Sequence, residues 1–535
     1  MREYVCRSHD VLFAILISLI VPASLGAQNG DGTITPPETE IVREITVEEA
    51  VRLALENNLG IQIARLDPQI QDLSVVQARA SWAPIFTSTF STNSASSPTS
   101  GFLSGTSEAK VLNEQMSGRA GIQQTIPWGG ARYTVNYDTS RSTTNSFFND
   151  FNPSLRGGLN FSFVQPLAKN LIIDNIRQQV ATSLKSREIS ELGLLETLDN
   201  TSRIVQNAYW DLAVSIASFD VQQQSLDLAR QSLRNTKARV EIGVQAPIDI
   251  VAAEAEVAQR EESSIVAEAQ VDRARDSLRT LIYDPETPNF WTIRLVPADE
   301  VPFEPIVVDI EAAVRKALDE RTDLQRTNKN LETNDINIRY FRNQLLPEIN
   351  AQFDYGLTAI GGTQLLRAPG FLGAVIGESV RNYSTILESI VRNEFPTWTF
   401  AVNVSYPLGT SQAEAQLARA RLQQAQSQTQ LKNQELQVAS QVRDLGRQVT
   451  TNRKRVETTR AARALAQRRL EAEQKKFTAG TSTSFFVFQA QRDLSEAQSN
   501  ELRAVLDYNK SVVDFETVQR SPLSAGSGSG VTVIN

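Results

Sequence analysis

The sequence predicts a mainly α-helical fold combined with membrane-facing β-strands, one unit used twice and drawn out along a single axis. Three observations lead there: helical stretches too long for a globule, short runs of strict apolar–polar alternation beside them, and an internal repeat. Composition narrows the chemistry. Of 535 residues, 41% are hydrophobic, 21% charged and 7% aromatic, with a net charge of -8. A mean hydropathy of -0.26 is too polar for a bundle of membrane helices. The acidic balance argues against broad nucleic-acid binding, which wants a basic face. The single Cys and single His, Cys6 and His9, both lie in the first ten residues. A chain processed beyond them has no thiol or imidazole for catalysis and no Cys/His metal site. Carboxylates such as Glu254 and Glu256 fall on helix surfaces at no catalytic spacing and read as a solvated face. No enzyme and no cofactor is expected.

Taken in order, residues 1–27 read as a signal peptide. Arg2 and Arg7 precede an apolar run at 11–21, and the small-residue stretch Pro22-Ala23-Ser24-Leu25-Gly26-Ala27 follows. The run is about half the roughly 20 residues of a spanning helix. An exported chain without a spanning helix crosses a membrane only by strands. Residues 28–83 hold a polar lead-in, with Pro36 and Pro37, and two helices, the first starting at Thr46. Residues 84–167 hold strands, and residues 168–282 hold long helices. Residues 283–346 are a linker and two more helices, the first starting at Asp309. Strands return at 347–408 and long helices at 409–519. The Gly/Ser-rich residues 520–535 read as a flexible tail.

The repeat is direct. Residues 45–56 resemble residues 308–319, and the offset of 263 holds without a gap to Pro84 against Pro347 and on to Phe90 against Phe353. Phe163-Val164-Gln165-Pro166-Leu167 then parallels Val404-Ser405-Tyr406-Pro407-Leu408, and Ile242-Gly243-Val244 parallels Ala479-Gly480-Thr481. Three matches in one order make chance similarity of two amphipathic helices a poor explanation.

In the strand regions Ile349, Ala351, Phe353, Tyr355 and Leu357 alternate with polar or small residues, as do Phe400, Val402, Val404 and Tyr406. Phe86 and Phe90, and Leu159, Phe161 and Phe163, do the same in the first unit. Period two gives one apolar and one polar face. A half-buried soluble sheet alternates in this way too; export, duplication and the long helices favour lipid on one face and a watery lumen on the other. Trp82, Tyr355, Trp398 and Tyr406 are read as interface aromatics near strand ends. Four strands are too few to close a barrel, so several copies must share one. Residues 118–141, with a turn at Pro127-Trp128-Gly129-Gly130, are either an extra hairpin of the barrel or a protruding one, leaving four or six strands per copy. Residues 358–396 are read as a long extracellular loop.

No proline interrupts residues 167–246 or 408–521. About 65 residues of helix span roughly 100 Å. Val438, Val442, Leu445, Val449 and Val456 form a heptad seam, interrupted by Asn452 and Thr459. Alanines such as Ala253 and Ala274 let neighbouring helices approach closely.

Together the signal peptide, the duplicated helix–strand–long-helix unit and the Gly turns resemble the TolC-like outer-membrane efflux family. The resemblance covers nearly all of the mature chain. It is carried by residues 46–84 with 308–347, by the junctions at Pro84, Pro166, Pro347 and Pro407, and by the two helical turns. It implies a homotrimer in the Gram-negative outer membrane, with most of its mass in the periplasm. Each copy would give four strands to a shared 12-stranded barrel, continuous with a periplasmic α-helical barrel and a mixed α/β equatorial region. The implied function is a passive exit duct for small molecules or secreted polypeptides. Its implied partners are outer-membrane lipid, a periplasmic adaptor (membrane fusion) protein and, through it, an inner-membrane transporter. A coiled-coil scaffold or adhesin without transport is the alternative. The turns match the family's periplasmic tips: Gly243, Val244 and Asp249, and Gly480, Thr481, Phe485, Phe486, Phe488 and Gln489. At Phe486 and Gln489 the chain departs from members that carry two pore-ringing aspartates. The three phenylalanines are read either as an apolar constriction or as packing and adaptor-contact residues.

Overall fold

The computed structural model describes residues 41–99, 106, 108–299, 303–370, 373–409 and 411–523. The signal peptide and most of the lead-in lie outside these residues. The first unit runs β1 (Ile41–Ile45), α1 (Val47–Asn57), α2 (Leu59–Ala80), β2 (Ile85–Pro98), β3 (Lys110–Thr125), β4 (Arg132–Thr144), β5 (Phe151–Pro166), α3 (Asn175–Glu241) and α4 (Ile248–Ile282). The second runs β6 (Ile293–Pro297), α5 (Ile310–Glu320), α6 (Thr322–Gln344), β7 (Glu348–Arg367), β8 (Val375–Arg381), α7 (Tyr383–Val391), β9 (Pro396–Ser405), α8 (Gln412–Thr478) and α9 (Ser484–Val518).

The duplication extends to element lengths. α3 and α8 each have 67 residues, and α4 and α9 each have 35. At 1.5 Å per residue the 67-residue helices are about 100 Å long. The starts of α1 and α5 are equivalent: Thr46 accepts from the Glu49 N–H and Asp309 from the Ala312 N–H.

Each long helix runs beside two shorter ones set end to end, α2 and α4 on α3, α6 and α9 on α8. A break between helices leaves unpaired carbonyls on one side and unpaired N–H groups on the other. Asn58 serves both. Its Oδ1 accepts from the Gly60 and Ile61 N–H groups of α2, while its Nδ2 donates to Leu281 O of α4 at 3.0 Å. In the second unit the Thr322 N–H donates to Arg520 O at 2.9 Å, and buried Arg321 pairs with Asp323 and Gln441.

The core sits near the midpoints of the long helices. In the first unit Tyr209 and Leu212 of α3 pack with Leu278 and Ile282 of α4, Leu53 of α1 and Leu295 of β6, which pairs in parallel with β1. In the second, Val438, Val442, Val449 and Val456 are buried against α5 and α9, so the seam read from the sequence is the packed one. Its polar interruption is satisfied: Asn452 donates to Asp507 O at 3.0 Å. Gly446 lets α5 approach, since a Cβ there would lie 2.9 Å from Ile310 Cγ1.

The large sheet is antiparallel in the order β2-β3-β4-β5-β7, with β9 beside the lower part of β7 and β8 beside its upper part. Six strands therefore stand abreast in the sheet of one copy, where the sequence left four or six. The 118–141 hairpin is part of the sheet and reaches further than its alternation suggested, from Lys110 to Thr144. Residues 358–396 are no plain loop: β7 continues through them to pair with β8, and α7 follows. At the C-terminus Ser521 is fully buried and bonded to Asp199, and Pro522 O accepts from Asn200. The rest of the tail expected from the composition, residues 524–535, lies outside the described residues.

Candidate functional site: a two-faced sheet and a pair of helical tips

Cross-strand partners sort the sheet into two faces. On one, Phe86 pairs with Ile122, Ile122 with Val135, Val135 with Phe161, Phe161 with Tyr355 and Tyr355 with Trp398. One residue along, the other face reads Thr87, Gly121, Asn136, Asn160, Gly356 and Thr397. The polar face forms a trough of about 940 Å³ lined by groups including Arg119, Asp138, Ser140, Arg156 and Asn160. Arg119 pairs with Asp138, and Asn160 donates to Asp138 at 3.0 Å. On the apolar face α7 lies across the upper sheet, with Ile386 and Ile390 packed on Leu155, Leu159, Leu357 and Ala359. Gly157 and Gly361 make room for it; a Cβ on Gly157 would lie 2.7 Å from Ile386.

At the far ends of the long helices the two tips close alike. Gly243 and Gly480 have φ of 77° and 78°, a conformation glycine adopts without a Cβ penalty. The next N–H in each, from Val244 and Thr481, reaches back to Arg239 O and Lys476 O at 3.0 and 2.9 Å. This six-to-one bond and left-handed glycine form a Schellman closure. At the second tip Ser482 and Lys476 both donate to Glu473, at 2.9 and 2.7 Å, and the Lys476 bond leads in holding that carboxyl below its usual range.

The tips are clamped to each other. Glu256 of α4, 6% exposed, pairs with Arg260 at 2.9 Å and with Arg492 of α9 at 2.7 Å. The Arg239 guanidinium of α3 lies 4.4 Å from the ring centre of Phe477 in α8. Arg492 also donates to Gln489, and Gln489 to Asp493, at 3.0 and 2.8 Å.

A family model described as "Outer membrane efflux protein" matches residues 132–282 and 313–517. The chain belongs to the outer membrane efflux protein family. No curated protein sequence matches this efflux-family chain. Solved structures do. The CmeC outer membrane channel of Campylobacter jejuni is 14% identical, with 94% of each chain covered and a TM-score of 0.61. VceC of Vibrio cholerae is 15% identical over 89% of this chain and 96% of its own, with a TM-score of 0.59. The open-state MtrE outer membrane channel of Neisseria gonorrhoeae is 16% identical over 89% of each chain, with a TM-score of 0.60. These likenesses show the fold, that of the TolC-like channels: long paired helices joined to a membrane-type sheet through a mixed α/β region. The family is one of channels, not enzymes.

Within this efflux-family fold the residues singled out in the sequence fall as follows. Gly243, Val244, Gly480 and Thr481 make the closures, and Asp249 sits in the first turn of α4. Phe485 and Phe486 are 61% and 52% exposed, but Phe488 is buried at 6% and so cannot line an opening. Pro84 and Pro347 immediately precede β2 and β7, Pro166 ends β5, and Pro407 lies two residues beyond β9. Trp82 precedes β2; Trp398 and Tyr406 are exposed at the two ends of β9. Tyr355 is inside β7, opposite Trp398, and its hydroxyl donates to Asn393.

Sequence reasoning missed two features. Glu256 reads as solvated in the sequence, yet it is the buried clamp between hairpins; its partner Arg492 lies 236 residues away, beyond any helical spacing. The first tip also exposes apolar side chains, Ile242, Val244, Ile248 and Val251. Their signal was available as four large aliphatics flanking a Gly turn. Among the described residues no helix is long and apolar enough to cross a membrane, and no cluster of three or more His, Cys, Asp or Glu could hold a metal ion.

Proposed function

We propose that three copies of this chain form a passive exit duct from the periplasm across the outer membrane. The observation that carries the reading is a single sheet with one apolar and one polar face, continuous through its strand-to-helix junctions with helical hairpins about 100 Å long. An open sheet edge in lipid leaves unpaired backbone groups, so one copy alone is not a membrane structure. The polar trough faces water, and the apolar face, with Trp82, Tyr406 and exposed Trp128 at its lower rim, faces lipid.

Such a duct moves solutes down a gradient, so energy comes from a partner: an inner-membrane transporter reached through a periplasmic adaptor. The tips suit that docking. Ile242, Val244, Ile248 and Val251 give the first tip an uncovered apolar surface, and the second exposes only Phe485 and Phe486 beside its turn. We assign Phe485 and Phe486 to the constriction, where an apolar ring opposes ion passage by dewetting. The acidic ring of other members has no counterpart at Phe486 and Gln489, so this seal does not depend on carboxylate charge.

Cell fractionation with gel mobility before and after heating tests the reading. The expected result is an outer-membrane protein whose compact oligomer band converts to a slower monomer band on boiling. A soluble monomer would overturn it.

A further inference from the structure

The geometry points to a shared barrel of eighteen strands, six from each copy, rather than the twelve that four per copy would make. This rests on the three-copy duct proposed above and adds the size of its outer-membrane section. The partner is a second copy of this chain, and the contact surface is the edge of β9 against the edge of β2.

Three observations carry the count. First, β3 and β4 are not laid over the wall but spliced into it. The apolar row from Phe86 through Ile122, Val135 and Phe161 passes through them without a break, as does the polar row through Gly121 and Asn136. A hairpin outside the wall would leave β2 to pair with β5 directly, yet β2 pairs only with β3 over its whole length from Ile85 to Pro98.

Second, the lower turn of the hairpin is fixed at the strand-to-helix rim. The Ile126 N–H donates to Ala131 O at 2.7 Å, and Gln165 of β5 donates to Gly129 O at 2.9 Å. A Cβ on Gly130 would lie 2.6 Å from Asn170 O, so the turn sits tight against the β5–α3 connection.

Third, the two edges match. Every residue of β2, and all but one of β9, is exposed in the single copy, whereas β4 between them is mostly half-buried. β2 leaves the helical end and β9 returns to it, so β9 of one copy meets β2 of the next antiparallel, as every neighbouring pair in the sheet already does. Their apolar faces then join: Trp398, Phe400, Val402 and Val404 continue into Phe86 and Phe90.

Electron cryomicroscopy of the full assembly in lipid, sectioned through Phe161 and Trp398, tests the count. The expected section is a three-fold ring of eighteen strands, about 35 Å across. A three-fold ring of twelve, with residues 110–144 outside it, overturns the inference and leaves the duct standing. No three-fold ring defeats the duct and the inference together. Thiol labelling supplies an independent readout in a chain whose one cysteine, Cys6, has been replaced. In vesicles, N136C should react with a charged, membrane-impermeant reagent, and V135C should resist it by at least about tenfold. Equal reactivity of the two overturns the placement of β4 in the wall.

Discussion

At the scale of single residues, buried charge and close approach decide the outcome of substitution. Glu256 neutralises Arg260 and Arg492 at a position with almost no solvent. Removing Glu256 leaves the mostly buried Arg260 uncompensated and Arg492, 35% exposed, partly screened by water, so the cost is about 1–3 kcal/mol, below that of a fully buried pair. Glu256→Ala should therefore lower the unfolding temperature and loosen the α4–α9 contact, read as faster protease cleavage near the tips; an unchanged melt would contradict the clamp. The two helical glycines should respond in opposite directions. Gly446→Ala gains helix propensity of up to ~1 kcal/mol but drives a methyl against Ile310, with Phe515 behind it at 3.3 Å. Overpacking costs about 1–3 kcal/mol, so the net change is destabilising. Gly193→Ala meets nothing within 4 Å and should stabilise by up to ~1 kcal/mol. Melting curves of the two variants check the signs. Neither the clamp nor the difference between the glycines was readable in the sequence. Glu256 stands among other acids on a polar helix, and Gly193 and Gly446 are each the lone glycine of a prolineless helix, with nothing nearby in the sequence to say which has a neighbour packed on it.

At the scale of elements, the design is a long helix with a spliced partner, and in the first unit Asn58 bonds both sides of the splice, with Asn57 donating to Ile282 O beside it. Asn58→Ala removes the cap on α2 and a donor to Leu281 O at once, for a cost of about 1–2 kcal/mol. Hydrogen exchange should then rise around residues 58–61 and 279–283 before it rises elsewhere; uniform exchange would argue against a local joint. α3 and α6 are tied by a square of Lys185, Glu188, Lys329 and Glu332, with contacts of 2.8–3.3 Å. Lys329 leads in lowering the Glu188 pKa and Lys185 in lowering that of Glu332. Carboxyls with depressed folded pKa values contribute stability above their unfolded values, about 4.3, and lose it as pH falls through the folded ones. A pH series of melting temperatures should fall on the acid side less steeply in the E188Q/E332Q double variant than in the native chain. The groups are part-exposed, so the difference is small and salt-sensitive; equal slopes would deny the square a role. Element identity was well legible. Prolines, helix caps and the valine seam set the helix ends and the buried stripe, and period-two alternation found the strands. Residues 358–396 were not legible, because β8 and α7 owe their form to β7 and to the apolar sheet face under Ile386 and Ile390.

At the scale of the whole molecule, the repeat, the long helices and the alternating strands already implied a conduit, because no globular core uses 67-residue helices twice. The number of strands was not legible, since a hairpin alternates in the same way whether it joins a wall or projects from it. The tips were half legible: the Gly turns identified them, but which phenylalanine faces inward depends on packing that buries Phe488 and exposes its neighbours. The proposed function puts the seal of the duct at Phe485 and Phe486, the two exposed phenylalanines of the second tip. Planar-bilayer conductance of the purified assembly, native and F486A, tests this most directly. The native protein should insert as discrete channels of small unitary conductance, and F486A should raise that conductance severalfold. Equal conductance in the two would remove the gate, and an assembly that never conducts would contradict the duct itself.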